Sequence, residues 1–144
     1  GEIRRYASPG LFLVDTPKTQ MAAGAIYSLD GKTRRVGDFE VSSLMRFGTL
    51  TFSSLDGKPL ADSSRILVSA AGNSVNNPKG KGVLTEPFQA EIGCRRIPGR
   101  PATVFQLNPL TGERTGRLPV DLKNGLETFR IDPETQSVFF EIIR

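Results

Sequence analysis

The chain has no histidine and no tryptophan, one cysteine and two tyrosines in 144 residues. Each shortage closes off some chemistry. Without histidine there is no Ser-His-Asp or Cys-His device, and the commonest transition-metal ligand is missing. With one thiol, an internal disulfide is excluded, and so is a structural zinc site. Cys94, in QAEIGCRR, reads as a small buried hydrophobe at the end of a strand, because no histidine exists to activate it as a nucleophile. A lone cysteine suits the cytosol and equally suits secreted bacterial proteins that do without disulfides. No Ser-x-x-Lys pair and no phosphate-binding G-x-x-x-x-G-K-[ST] loop occurs. The lack of tryptophan also removes the usual flat platform for stacking on crystalline polysaccharide.

Long apolar runs are missing as well. A membrane helix needs about 20 apolar residues, whereas LFLV (11–14) and SVFFEII (137–143) have strand length. No membrane partner is expected. Charge of one sign is never concentrated: 13 Arg and 6 Lys face 15 acids for a net +4, and the pairs Arg4-Arg5, Arg34-Arg35 and Arg95-Arg96 never grow into a tract. A nucleic-acid partner, which needs a clustered basic face with stacking aromatics, is not expected either. At 38% hydrophobic and 24% charged, residues 1–144 read as one ordinary globular domain, monomeric, and as a piece of a longer protein because the chain opens on Gly1.

Helical periodicity is nearly absent, and in its place stands punctuation. Fifteen Gly and ten Pro break the chain into short apolar or alternating runs, which is the all-β pattern. Strands are expected at 11–15, 20–28, 33–36, 38–43, 48–54, 64–71, 87–94, 101–107, 114–120, 126–131 and 137–143. In TLTFSS, Leu50 and Phe52 share one face and Thr49, Thr51 and Ser53 the other. Asp30-Gly31 and Asp56-Gly57 are hairpin signals. They sit in two copies of SLDGK (28–32 and 54–58). The residues after the first copy, TRRVGD, differ from those after the second, PLADSS, so these are two similar turns with no repeat fold behind them. NPLTGER (108–114) and IDPETQ (131–136) are further connections. About ten short strands at this spacing predict an all-β fold, a β-sandwich with jelly-roll or immunoglobulin-like wiring. The least regular part, GNSVNNPKGKGVLTE (72–86), is expected to be a long exposed loop.

Paired carboxylates are the remaining route to catalysis. Asp56 with Asp62, Glu86 with Glu91, and Glu113 lie in or beside turns, where acids are expected on structural grounds, and are not read as catalytic. An oxygen-ligand Ca²⁺ site between loops stays an option, although no D-x-D-x-D-G loop is present. Sugar binding would have to come from polar side chains in a groove or loop, since the nine Phe read as core, with Phe52, Phe105 and Phe139 at inward positions. The best place is the 72–86 segment with Asn73, Asn76 and Asn77. The alternative is a sheet-face groove around Tyr27 and Arg65.

FLVDTPKTQMAAGAI (12–26) and TFSSLDGKPLADSSRILVSAAGN (51–73), read together, resemble the C-terminal β-sandwich segment that follows the catalytic barrel in certain large bacterial (β/α)8 glycoside hydrolases. There an F-x-V-D-T-P-[RK]-T-Q stretch precedes a strand, then T-S-L-D-G-K-P-L-A and a strand ending in Gly. The similarity covers residues 10–73; the later half matches only as a series of strands closing on SVFFEI. Where those proteins carry G-R-x-E-N-T, this chain has Gly72-Asn73-Ser74-Val75-Asn76-Asn77, which puts that segment's contacts in doubt. The resemblance implies a non-catalytic accessory module of a secreted bacterial enzyme. Its partners would be a polysaccharide or oligosaccharide, or the catalytic domain of the same polypeptide, against which it would pack as a structural support.

Overall fold

The computed structural model describes residues 2–29, 34–43, 45–135 and 137–144. In chain order its strands are β1 (Glu2–Tyr6), β2 (Leu11–Asp15), β3 (Thr19–Gly24), β4 (Arg34–Val36), β5 (Phe39–Ser43), β6 (Gly48–Ser54), β7 (Arg65–Ala71) and β8 (Ser74–Asn76). They continue with β9 (Val83–Thr85), β10 (Ala90–Arg95), β11 (Thr103–Leu107), β12 (Arg114–Leu118), β13 (Asp121–Lys123), β14 (Leu126–Ile131) and β15 (Phe139–Ile143). The helical content among the described residues is one 3-10 turn, Ile26–Leu29.

The protein is an all-β sandwich. Eight antiparallel strands form one sheet in the order β1-β2-β3-β6-β7-β15-β11-β12, and five form the other in the order β13-β14-β10-β5-β4. The chain crosses between sheets after β3, β5, β7, β10, β12 and β14. The core lies between the two inner faces and is built by period-2 alternation. From the large sheet come Leu50, Phe52, Ile66, Val68, Ala70, Val104, Phe140 and Ile142; from the small one Phe39, Val41, Ile92, Phe129 and Ile131. Phe39 of β5 stacks on Phe52 of β6 with ring centroids 3.7 Å apart, tying the layers at their centre. RILVSAA is thus a core strand and Cys94 a buried core residue, both as expected.

Four strands exceed the expected set: β1, β8, β9 and β13. β1 lies at the edge of the large sheet with every residue exposed, so it has no hydrophobic face to betray it. The strand expected over 20–28 stops at Gly24, where φ is +105°, and Ile26 then turns inward to full burial. The turn expected at Asp30-Gly31 lies outside the described residues. The one at Asp56-Gly57 does connect β6 to β7, with Gly57 at φ +74°.

Candidate functional site

One end of the sandwich stands out. Gly24 at the end of β3 pairs with Gly48 at the start of β6, and Ala71 at the end of β7 pairs with Thr49. The segments that come after Gly24, before Gly48 and after Ala71 therefore all leave from the same end, and they carry Tyr27, Phe47 and residues 72–86. The β1–β2 turn and the 108–113 turn project there too, since Tyr6 pairs with Leu11 and β11 runs towards its pairing with Phe140. Exposed large apolar side chains gather at this end: Tyr6, Tyr27, Phe47, Val75, Val83, Leu84 and Leu110. Tyr27 and Phe47 are each 46% exposed there.

Residues 72–86 are not the irregular loop expected. Ser74 pairs with Thr85, Val75 with Leu84 and Asn76 with Val83, making a two-stranded arm that belongs to neither sheet. Val75 and Leu84 lie on one face of the arm; Ser74 and Thr85, whose hydroxyls meet at 2.9 Å, lie on the other. All six strand residues are exposed, so the arm stands away from the core. Its base is fixed where the Glu86 amide donates to the Asn73 carbonyl at 2.7 Å and the Gly72 amide to the Glu86 carbonyl at 3.1 Å. Its tip is fixed by Asn77, whose amide donates to the Gly82 carbonyl and whose Oδ1 accepts from the Lys79 amide at 3.0 Å.

Beneath the arm is a hollow of about 330 Å³ lined by Met45, Arg46, Phe47, Asn73, Glu86 and Gln89. Amide, guanidinium and carboxylate groups converge there beside an exposed aromatic ring, a set able to donate to and accept from hydroxyls while covering an apolar ring face. Of the five residues the sequence singles out, Asn73 lines this hollow. Asn76 is exposed on the arm, Asn77 is committed to its turn, and Tyr27 stands at the same end of the sandwich. Sequence reasoning misses Arg46 and Phe47; the available signal is an aromatic directly before the first glycine of a strand, where the chain is still outside the sheet.

Arg65 is elsewhere. It begins β7, six residues before Ala71, and so lies about 20 Å from the arm end at the usual rise per strand residue. A single groove around Tyr27 and Arg65 does not exist. Arg65 faces outward on the large sheet, where its Nε and Nη2 donate to Glu141 Oε1 at 3.0 and 2.6 Å. Arg114 Nε donates to Glu141 Oε2 at 2.9 Å, and its guanidinium lies 4.2 Å above the Phe105 ring. Burial pushes the Glu141 carboxyl upward, but the bonds from Arg65 and Arg114 win and hold it below the usual carboxylate range. Phe105 and Phe139 are corrected by the same geometry. Val104 and Phe140 take the inward places, so Phe105 and Phe139 face out, half-buried. The register sets Thr19, Ser53, Leu67, Glu141, Phe105 and Arg117 in one row across that outer face.

Three of the candidate carboxylates have partners of another kind. Asp56 is enclosed by hydroxyls, Glu91 pairs with Lys123 Nζ at 2.9 Å, and Glu113 accepts from Thr111 Oγ1 at 3.2 Å. Among the described residues no group of three or more His, Cys, Asp or Glu side chains gathers to hold a metal ion. No helix among them is long and apolar enough to cross a membrane. Burial pushes the Cys94 thiol up to about 11, so it is no thiolate at neutral pH. Compared with known proteins, the chain matches no family model, no curated protein and no solved structure.

Proposed function

We propose that this β-sandwich is a non-catalytic carbohydrate-binding module of a secreted bacterial glycoside hydrolase, holding a soluble polysaccharide or oligosaccharide chain at its arm end. The observation that carries the reading is the hollow under the β8–β9 arm. It places the exposed Phe47 ring beside Arg46, Asn73, Glu86 and Gln89. A sugar offers an apolar C–H face and a rim of hydroxyls that both donate and accept, which is the complement of this lining. Linked to a catalytic domain, such a module raises the local substrate concentration without adding to the chemistry.

A second reading is favoured by one specific surface. The outer face of the large sheet carries Phe12, Val14, Met21, Leu67, Phe105 and Phe139, all half-buried though no layer of the described residues covers them. That face suits packing against the catalytic barrel of the same polypeptide.

Titration calorimetry against soluble β-glucans, mannans, xylans and galactans separates the two. Binding to at least one class is expected, weakened tenfold or more by Phe47→Ala and by Asn73→Ala; tenfold corresponds to about 1.4 kcal/mol. Silence across the whole panel overturns the binding reading and leaves the packing one.

A further inference from the structure

The opposite end of the sandwich holds a second groove, of about 500 Å³, where the chain leaves edge strand β12 of the large sheet and enters edge strand β13 of the small one. Arg96, Arg117, Asp121 and Glu127 bring charge to its lining, and Pro101, Leu118, Pro119 and Val120 bring apolar surface. Glu127 is the anomaly. It sits on β14 in the same alternation as Phe129 and Ile131, so it points inward, and it is 6% exposed. One carboxylate oxygen, Oε1, accepts the Ala102 amide at 3.0 Å. The other, Oε2, is shielded from solvent and has no hydrogen-bond partner among the described residues.

A buried polar atom left unpaired costs about 1–3 kcal/mol, and more when charged, so each one calls for a partner. On the core side the carboxylate satisfies the Ala102 amide through Oε1 alone, which leaves Oε2 without a role there. We infer that Glu127 is the floor of a binding site for a neutral polyhydroxyl unit, a pyranose ring or chain end, separate from the arm-end hollow. The final side-chain torsion of a glutamate is soft. A modest turn of the carboxylate therefore offers Oε2 to a ligand hydroxyl while Oε1 keeps the Ala102 amide. The occupant must donate a hydrogen bond, which excludes a group that is acceptor-only. Two guanidinium groups and two carboxylates balance in the lining, so neither a strong anion nor a strong cation is selected. A hydroxyl-bearing ring satisfies both: it donates to Glu127, accepts from Arg96, and lays its C–H face on Leu118 and Val120.

The test is ¹H–¹⁵N correlation NMR of the full chain titrated with glucose, galactose or mannose, with glucuronate and glucosamine as charged controls. Saturable shifts are expected at the amides of Ala102, Leu118, Val120 and Glu127 with at least one neutral hexose. Glu127→Gln, which keeps the shape but supplies a different donor and acceptor pattern, and the exposed-site variant Arg96→Ala should each weaken that binding tenfold or more. Phe47→Ala should leave it unchanged, so loss of the arm-end site and loss of this one are read separately. No shifts at these amides, shifts untouched by both groove variants, or binding of a charged control more than tenfold tighter than every neutral hexose would each overturn the inference. If Glu127→Gln fails to fold, Arg96→Ala decides alone.

Discussion

Asp56 shows how a residue that looks chemical can be wholly structural. Its Oδ2 accepts the Ser64 amide and the Ser64 hydroxyl, each at 2.7 Å, and its Oδ1 accepts the hydroxyls of Ser63 at 2.8 Å and Ser54 at 3.0 Å. These bonds, led by the Ser64 hydroxyl and then Ser63, hold the carboxyl far below the ordinary carboxylate range against a smaller opposing effect of burial. The sign follows from proton binding. The unfolded chain takes up the proton near pH 4 while the folded one resists it, so the stabilisation is fully present above about pH 4 and is lost as pH falls further. Asp56→Asn should lower the urea midpoint at pH 7, and the gap from the parent protein should narrow steadily below pH 4. A gap that is the same at pH 7 and pH 2.5 would mean that the carboxylate's charge is irrelevant. Ser54, Ser63, Ser64 and Asp56, which look like reactive groups in SSLDGKPLADSS, thus close a ten-residue connection between β6 and β7, with Ser63 itself fully buried.

At the scale of elements, two positions measure what the sandwich tolerates. Gln20 is buried on β3 and reaches the turn between β4 and β5, accepting the Asp38 amide and donating to the Asp38 carboxylate, both at 2.9 Å. Gly37, in that turn, has φ +59°, and a methyl group there would come within 2.1 Å of the Gln20 side chain. Gly37→Ala should cost about 1–3 kcal/mol in chemical denaturation, through both the backbone and the overlap. The phenylalanines make the complementary comparison. Phe52→Ala opens a cavity against Phe39 at the centre of the core and should cost about 3–5 kcal/mol. Phe105→Ala empties a half-solvated site under Arg114 and should cost less than half as much; equal losses would contradict the outward assignment of Phe105. These elements also show what could be read from the chain. Alternation places β6 and β7 and their buried faces correctly, because Leu50, Phe52, Ile66 and Val68 repeat at period 2. It fails for TVFQL, where Val104 and Phe105 are equally apolar and only the neighbouring register decides which one turns inward. The β13–β14 hairpin is marked by Asn124-Gly125, both at positive φ in a tight turn, a stronger signal than either Asp-Gly pair. The arm β8–β9 could not be foreseen from burial patterns, since neither of its faces is buried.

For the molecule as a whole, charge and site make a joint demand. The net charge of +4 would draw any polyanion, yet each cation at the sites described has a carboxylate beside it. Arg46 shares the arm-end hollow with Glu86, Arg65 and Arg114 share Glu141, and Arg96 and Arg117 share their groove with Asp121 and Glu127. Binding of a neutral glycan by ring contact and hydroxyl hydrogen bonds releases few counterions, whereas a polyanion held by arginines releases many. The affinity for whichever polysaccharide the calorimetric panel identifies should therefore change less than threefold between 50 and 500 mM NaCl. A polyanion contacting several of these arginines would instead lose orders of magnitude over the same range, since each neutralised charge adds to the slope of affinity against salt. A steep salt dependence would favour an acidic ligand over a neutral glycan and move the contact surface to the outer face of the large sheet, where Arg5, Arg65 and Arg114 outnumber Glu141. A flat dependence, together with loss of binding in Phe47→Ala, would tie the affinity to the ring and amides beneath the arm.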